Sequence, residues 1–227
     1  MLDIIPKVSL DSPEGQALLR ESSIKQTLLI RLSSKQLKNG FCGFTSVAHI
    51  MSFHALARKY PDTSLHDHCD VSDIRYTEVN IFDHKETQSV LGTAEYFDKR
   101  FQGASLTEIE QLLKLQGLSV VTKLGNESDA EEFRRLAKEA LSSNQSGVIL
   151  NFYHFSKVKW GHFSPLAAYH EKTDRFLLLD TRDDHPYVWV TVADLFPLIN
   201  TLDSKTKKSR GFLIATSNQN KLKDSSV

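Results

Sequence analysis

The chain is poor in cysteine, with only Cys42 and Cys69 among 227 residues. The two flank a helical pattern and sit in unlike contexts. That excludes a disulfide framework and fits a single functional thiol in a reducing compartment. There is no net charge: 28 basic residues balance 28 acidic ones, and the pI is near 7.1. Without a basic excess, neither a nucleic-acid partner nor attachment to an anionic membrane surface is expected. No apolar run approaches the roughly 18 residues that span a bilayer, so no membrane partner is expected either. No basic segment leading into an apolar run opens the chain, so the expected location is cytoplasmic, with export left open. Internal repeats and low-complexity tracts are absent. What remains is an ordinary globular composition, enough for one substantial domain or two small lobes sharing a core.

The pattern changes along the chain. Ser12-Pro13-Glu14-Gly15 reads as a capped helix start with Pro at the first helical position, and Thr27 to Leu32 as a short strand. Phe44, Val47, Ala48, Met51 and Ala55 recur at helical spacing, and Ile50, Phe53 and Leu56 extend the apolar surface. A largely buried helix from Cys42 to Lys59 is therefore predicted, ended by Tyr60-Pro61. Residues 62–84 read as a polar loop. A helix is predicted over 85–100, and a capping box at Ser105-Leu106-Thr107-Glu108 opens another to Leu115. Leu118 to Lys123 reads as a strand and Asp129 to Ser142 as a helix capped by Ser128. Strands are then expected at Gly147–Phe152, Gly161–His170, Arg175–Asp180, Tyr187–Val190 and Gly211–Ala215, with a short helix opened by Thr191. Helices first and an antiparallel meander second define an α+β fold. The expected organisation is one domain over 1–216, helical to about 145 and sheet from about 146, with a tail over 217–227 expected to fray.

Chemistry concentrates at Gln36-Leu37-Lys38-Asn39-Gly40-Phe41-Cys42-Gly43-Phe44-Thr45-Ser46. Here a loop full of breakers turns into the buried helix. A thiol at that point meets the positive end of the helix dipole and free backbone N–H groups, which favour the thiolate. Gln36 lies where it could donate to a developing oxyanion. The alternative is a buried cysteine acting as a small apolar residue. His162 begins one strand of a predicted hairpin and Asp180 ends the next, so the two come side by side. A histidine with a neighbouring carboxylate is an oriented base. Each alone is equally a core histidine or a turn cap; the order Cys, His, Asp is that of a papain-like design. The cluster His66-Asp67-His68-Cys69 invites a metal reading, but it has no second half at zinc-site spacing. A solvated loop is the expectation there.

Several stretches together resemble the phytochelatin synthases, in particular their short bacterial members. They are Ser12-Pro13-Glu14-Gly15, Phe41-Cys42-Gly43, Asn80-Ile81-Phe82, Leu106-Thr107-Glu108, Gly161-His162-Phe163-Ser164-Pro165-Leu166, Asp174 to Asp180, Val188-Trp189-Val190 and Ser209-Arg210-Gly211-Phe212. The resemblance implies a papain-like fold and a thiol acyltransferase acting on glutathione. Cys42 is then the nucleophile, His162 the base, Asp180 its orienter and Gln36 the oxyanion-hole donor. Asp203 and Arg210, with Gly161, match positions that bind the donor's glutamyl group. On the residues alone, Asp203 and Arg210 read as a surface ion pair. The resemblance implies no required cofactor and no protein-bound metal. Soft metal ions such as cadmium or zinc would enter as a metal-bound glutathione thiolate co-substrate. It allows a homodimer.

The chain also departs from that family. Relatives place basic residues, associated with the acceptor glutathione, shortly after the Asn that ends the buried strand and again beyond the triad Asp. Here those regions read Asn151-Phe152-Tyr153-His154 and Asp180-Thr181-Arg182-Asp183-Asp184-His185-Pro186. Acceptor carboxylates would meet Asp183 and Asp184, an unfavourable juxtaposition. Hydrolysis of glutathione is therefore expected to outweigh phytochelatin formation. Two rivals stand beside this reading. One is a papain-like protease or deamidase with another, protein, substrate. The other is a non-enzymatic metal binder using His66, His68 and Cys69.

Overall fold

The computed structural model describes residues 5–72, 76–100, 103–155 and 160–218. It opens with a three-residue strand, β1 (Lys7–Ser9), and then α1 (Pro13–Glu21). Ser12 caps that helix, accepting from the Gly15 N–H at 3.0 Å. After β2 (Ile24–Lys25) comes α2 (Thr27–Leu32), where a strand was expected. Leu28, Leu29 and Leu32 are all buried; that spacing suits one face of a helix and not a two-residue alternation. The long α3 (Cys42–Lys59) begins and ends where the apolar periodicity places it. Gly40, at φ 82°, reverses the chain just ahead of it.

Residues 85–100 form two helices, α4 (Lys85–Leu91) and α5 (Ala94–Arg100), instead of one. The break is Gly92, whose φ of 98° no helix interior accepts. The capping box of α6 (Leu106–Leu115) is complete in both directions, and β3 (Leu118–Leu124) follows. The cap of α7 (Ala130–Leu141) is Asp129 rather than Ser128: its carboxylate accepts from the Glu132 N–H at 2.8 Å. The chain then runs through β4 (Ser146–Tyr153), β5 (Gly161–His170), β6 (Arg175–Leu178), β7 (Val188–Thr191), α8 (Val192–Ile199) and β8 (Gly211–Ser217). The tail expected to fray lies, from residue 219 on, outside the described residues.

All strands join one antiparallel sheet in the order β1-β7-β6-β5-β4-β8-β3, with β2 added on β5. The meander expected from the sequence is present as β4 to β7. The last strand, β8, instead returns to the far side of β4 and draws in β3, so strands from the N-terminal part complete the sheet. One face carries α1, α2, α3 and α6 over residues such as Ile149, Phe163, Leu177 and Leu213. The other carries α7 and α8 over Val148, Leu150, Phe176 and Phe212. Such a layered α+β arrangement buries both faces of the sheet, which is why β4 reads as an unbroken apolar run.

Between β5 and β6 the register slips by one residue. Ala168 pairs with Leu177, but Leu166 pairs with Leu178, leaving Ala167 as the extra residue of a bulge. Beyond it, the Leu179 N–H donates to the Pro165 carbonyl at 2.9 Å. Continued by one more residue, this register sets Asp180 opposite Ser164, on the face that His162 shares. Without the bulge Asp180 would fall opposite Pro165 and on the other face. The strand itself ends at Leu178, two residues before the Asp180 end expected from the sequence.

The cap correction is open to test. Asp129→Ala should lower unfolding free energy by ~1 kcal/mol, and Ser128→Ala by no more than about 0.5 kcal/mol. Urea titrations of both variants check the difference.

Candidate active site

Cys42 is the first residue of α3, buried at the helix start, and His162 is the second residue of β5. The two side chains act on one another, each shifting the other's pKa. Burial pushes the Cys42 thiol up. The opposing charge and hydrogen bond of His162, with backbone hydrogen bonds from Phe163 and Gly43, pull it down further, and the net shift is downward. His162 shows the reverse: burial disfavours its proton, but Cys42 and Asp180 outweigh burial, and its pKa is raised. Thiolate and imidazolium therefore favour one another.

His162 Nε2 lies 2.9 Å from Asp180 Oδ1, which leaves Nδ1 as the nitrogen for the thiol. Asp180 is fully buried. Burial alone would raise its pKa, but hydrogen bonds from His154 and His162 hold the carboxyl well below the usual range. Its Oδ1 also accepts from the Arg182 N–H at 3.1 Å. The sequence thus brings together Cys42, His162 and Asp180 in space as well as in order.

Gln36 is held beside them by its backbone, whose N–H donates to the Thr181 carbonyl at 2.7 Å. The Thr181 hydroxyl lies 3.3 Å from the Phe163 carbonyl, 3.4 Å from His162 Nε2 and 3.5 Å from Gln36 Oε1. Three further residues gave no usable signal in the sequence. Lys35 Nζ donates to the carbonyls of Asp180 and His185, both at 2.7 Å, and sits over the Tyr187 ring. His154, noted only as a departure from the family, is buried with Nε2 2.9 Å from Asp180 Oδ2. Burial lowers its pKa against the pull of Asp180. Its ring meets His185 edge-on, centroids 4.7 Å apart. The third, Glu78, is buried, and its carboxylate accepts from the Leu37 and Lys38 N–H groups.

A cavity of about 380 Å³ runs from Cys42 to Asp203 and Arg210, with Tyr153, Trp160 and Gly161 along it. Arg210 precedes β8 and is buried. Its NH1 donates to the Leu202 carbonyl at 2.6 Å and to Thr201 Oγ1 at 3.2 Å, while its Nε has no partner among the described residues. Burial depresses its pKa against the pull of Asp203. The surface ion pair that the residues alone suggested is thus corrected: the guanidinium is inside. Gly161 makes room for it, because a Cβ there would stand 2.9 Å from Arg210 NH2.

The solvated loop expected at residues 66–69 is corrected in part: Asp67 and His68 are exposed, but the other two are not. His66 and Cys69 are buried, and Arg31 donates to both of their carbonyls. Among the described residues, the one grouping of three close metal-ligating side chains is His154, His162 and Asp180. Both histidines already bond the Asp180 carboxylate. Asp184, expected to repel an acceptor, is clamped by Arg182 through Nε at 2.7 Å and NH2 at 2.5 Å, and Arg182 stacks on Trp160. Part of the acidic face is therefore neutralised internally.

A cysteine at the start of a buried helix, beside a histidine on an antiparallel sheet and a carboxylate that bonds that histidine, is the layout that a papain-like design requires. The family model for phytochelatin synthase matches residues 5–212, and the chain belongs to that family. Similar curated proteins include glutathione gamma-glutamylcysteinyltransferase 3 of Lotus japonicus, 28% identical over 92% of this chain and 42% of its own. Glutathione gamma-glutamylcysteinyltransferase 1 of Arabidopsis thaliana is 24% identical over 92% of this chain and 41% of its own. The chain thus spans under half the length of these relatives. Among solved structures, the peptidase domain of Streptococcus ComA overlays with a TM-score of 0.46 at 11% identity, covering 82% of this chain and 97% of that one.

The coupling of Cys42 to His162 predicts a pH signature. Alkylation of Cys42 by iodoacetamide should persist below the pH at which an ordinary thiol stops reacting. In His162→Ala only the backbone hydrogen bonds still oppose burial, so the apparent pKa should rise by on the order of one unit or more. Rate measurements across pH 5–10, about the range over which a thiol titrates, provide the check.

Proposed function

We propose that this chain is a glutathione γ-glutamylcysteinyltransferase of the phytochelatin synthase type. Cys42 Sγ attacks the carbonyl carbon of the Cys-Gly peptide bond in glutathione. His162 holds the thiol proton and gives it to the leaving nitrogen as the C–N bond breaks, so glycine departs and a γ-glutamylcysteinyl thioester stays on Cys42. Asp180 keeps the His162 ring oriented and stabilises its charge, and Gln36 donates to the tetrahedral oxyanion. The thioester then passes to water, releasing γ-glutamylcysteine, or to the amino group of a second glutathione, extending it to phytochelatin. His162 takes the proton from either acceptor. A cadmium- or zinc-bound glutathione thiolate serves as acceptor substrate; no resident cofactor is needed.

The observation that carries this reading is the buried guanidinium of Arg210, its Nε unpartnered among the described residues, lining the same cavity as Cys42. A buried cation with an open donor calls for an anionic ligand group, and an Arg fork suits a carboxylate. Asp203 alongside offers the complementary charge for an amino group. Together they suit the head of a γ-glutamyl substrate. On the acceptor side, Arg182 is engaged by Asp184 and Asp183 adds negative charge, which supports hydrolysis as the main outcome.

Mass spectrometry of the products with and without cadmium tests the proposal. Wild type should release glycine, mostly as hydrolysis, and Cys42→Ser should abolish the release. Intact glutathione under both conditions would refute it. Arg210→Ala should weaken glutathione use by on the order of 10- to 100-fold; unchanged turnover would favour a protease or deamidase with another substrate.

A further inference from the structure

We infer that Glu78 is the positioning residue that sets the Gln36 loop for acyl transfer. Glu78 is 3% exposed, and the donors aimed at it come from two separate elements. The Leu37 N–H lies 3.1 Å from both of its carboxylate oxygens, and the Lys38 N–H is 2.9 Å from Oε1. The Thr45 hydroxyl, one turn into α3, bonds Oε2 and sits 3.0 Å from the Phe41 carbonyl. A single carboxylate thus joins the residues just after Gln36 to the first turn of the helix that starts with Cys42.

Beyond the Lys35 side chain, which bonds the Asp180 and His185 carbonyls, few side chains fix the loop. Leu37 is 82% exposed, so side-chain packing does not hold it. Lys38 Nζ reaches away to Asp98 at 2.7 Å. Backbone anchors do the holding: Ser34 N–H to His49 Nε2 at 3.0 Å, Gln36 N–H to the Thr181 carbonyl, and then the two N–H groups on Glu78. Glu78 is itself tethered to α3, because the Tyr76 N–H two residues earlier donates to Ser52 Oγ at 2.8 Å. Two backbone N–H groups and a hydroxyl facing one side chain call for an acceptor with two oxygens, which a carboxylate is and an amide is not. Burying such a group is costly, and removing it strands buried donors. An oxyanion donor must stand within a few tenths of an ångström of its productive place. Glu78 fixes that place for Gln36 relative to the Cys42 sulfur.

This rests on the proposed role of Gln36, but not on glutathione as the substrate, and two reactions of Cys42 separate the possibilities. Alkylation by iodoacetamide displaces iodide at a saturated carbon and forms no oxyanion. Acylation by p-nitrophenyl acetate passes through a tetrahedral oxyanion and releases nitrophenolate. In Glu78→Gln, acylation should fall by roughly tenfold to a hundredfold, with alkylation within about twofold of wild type. Gln36→Ala should show the same split, and the double variant should be no slower than the worse single one. Unchanged acylation in Glu78→Gln would overturn the inference. So would an equal loss in both reactions, which marks a support for the helix, or losses that multiply in the double variant. Failure to cleave glutathione would sink the substrate assignment and leave this test standing.

Discussion

A carboxylate with no access to water must be kept charged by its neighbours, and much of the candidate site follows from that requirement at Asp180. One oxygen faces His162 and the Arg182 N–H; the other faces His154. Lys35 bonds the carbonyl of the same residue and brings the segment before Gln36 against the segment after β6. The loop that carries Gln36 and the loop that follows Asp180 are therefore held as one unit. Through His162 the same charge reaches Cys42, where it helps the imidazolium offset the burial of the thiol. Breaking any of these contacts would leave a buried charge unmatched, a far larger cost than losing an exposed ion pair.

Much of the fold was legible because local signals were strong and agreed with each other. The bounds of α3, the capping box of α6 and the strands β4 and β5 all follow from periodicity and turn chemistry. Thr27–Leu32 misled because six residues hold too few repeats to separate periods of two and 3.6 when three are leucines. β1 and β2 escaped notice because strands of three and two residues exist only through their partners in β7 and β5. The route of β8 to the far side of β4 is likewise a matter of long-range pairing that no local pattern records.

At the site, the legible residues were those whose chemistry is unusual for their position: a cysteine at a helix start, a histidine at a strand start. Lys35, Glu78 and His154 were illegible for a physical reason. Each acts by meeting backbone groups or a carboxylate distant in sequence, and a lone Lys, Glu or His in a polar stretch has many ordinary uses. Arg210 shows the complementary case. Its sequence context suggested an exposed ion pair, yet Gly161 opens a recess that takes the guanidinium inside. Likewise the acidic run at Asp183 and Asp184 looked uniformly repulsive, whereas Arg182 folds back on Asp184 and leaves a smaller net field.

The extra residue at Ala167 places a counting rule on the hairpin. Side chains alternate between faces, so the pairing register beyond the bulge decides whether the carboxylate meets the histidine or the opposite layer. A slip of one residue in that pairing turns Asp180 away, whereas a slip of two preserves its side. The turn at residues 171–174 lies outside that pairing, so its length is free to vary, whereas the count along β5 and the strand leading to Asp180 is not.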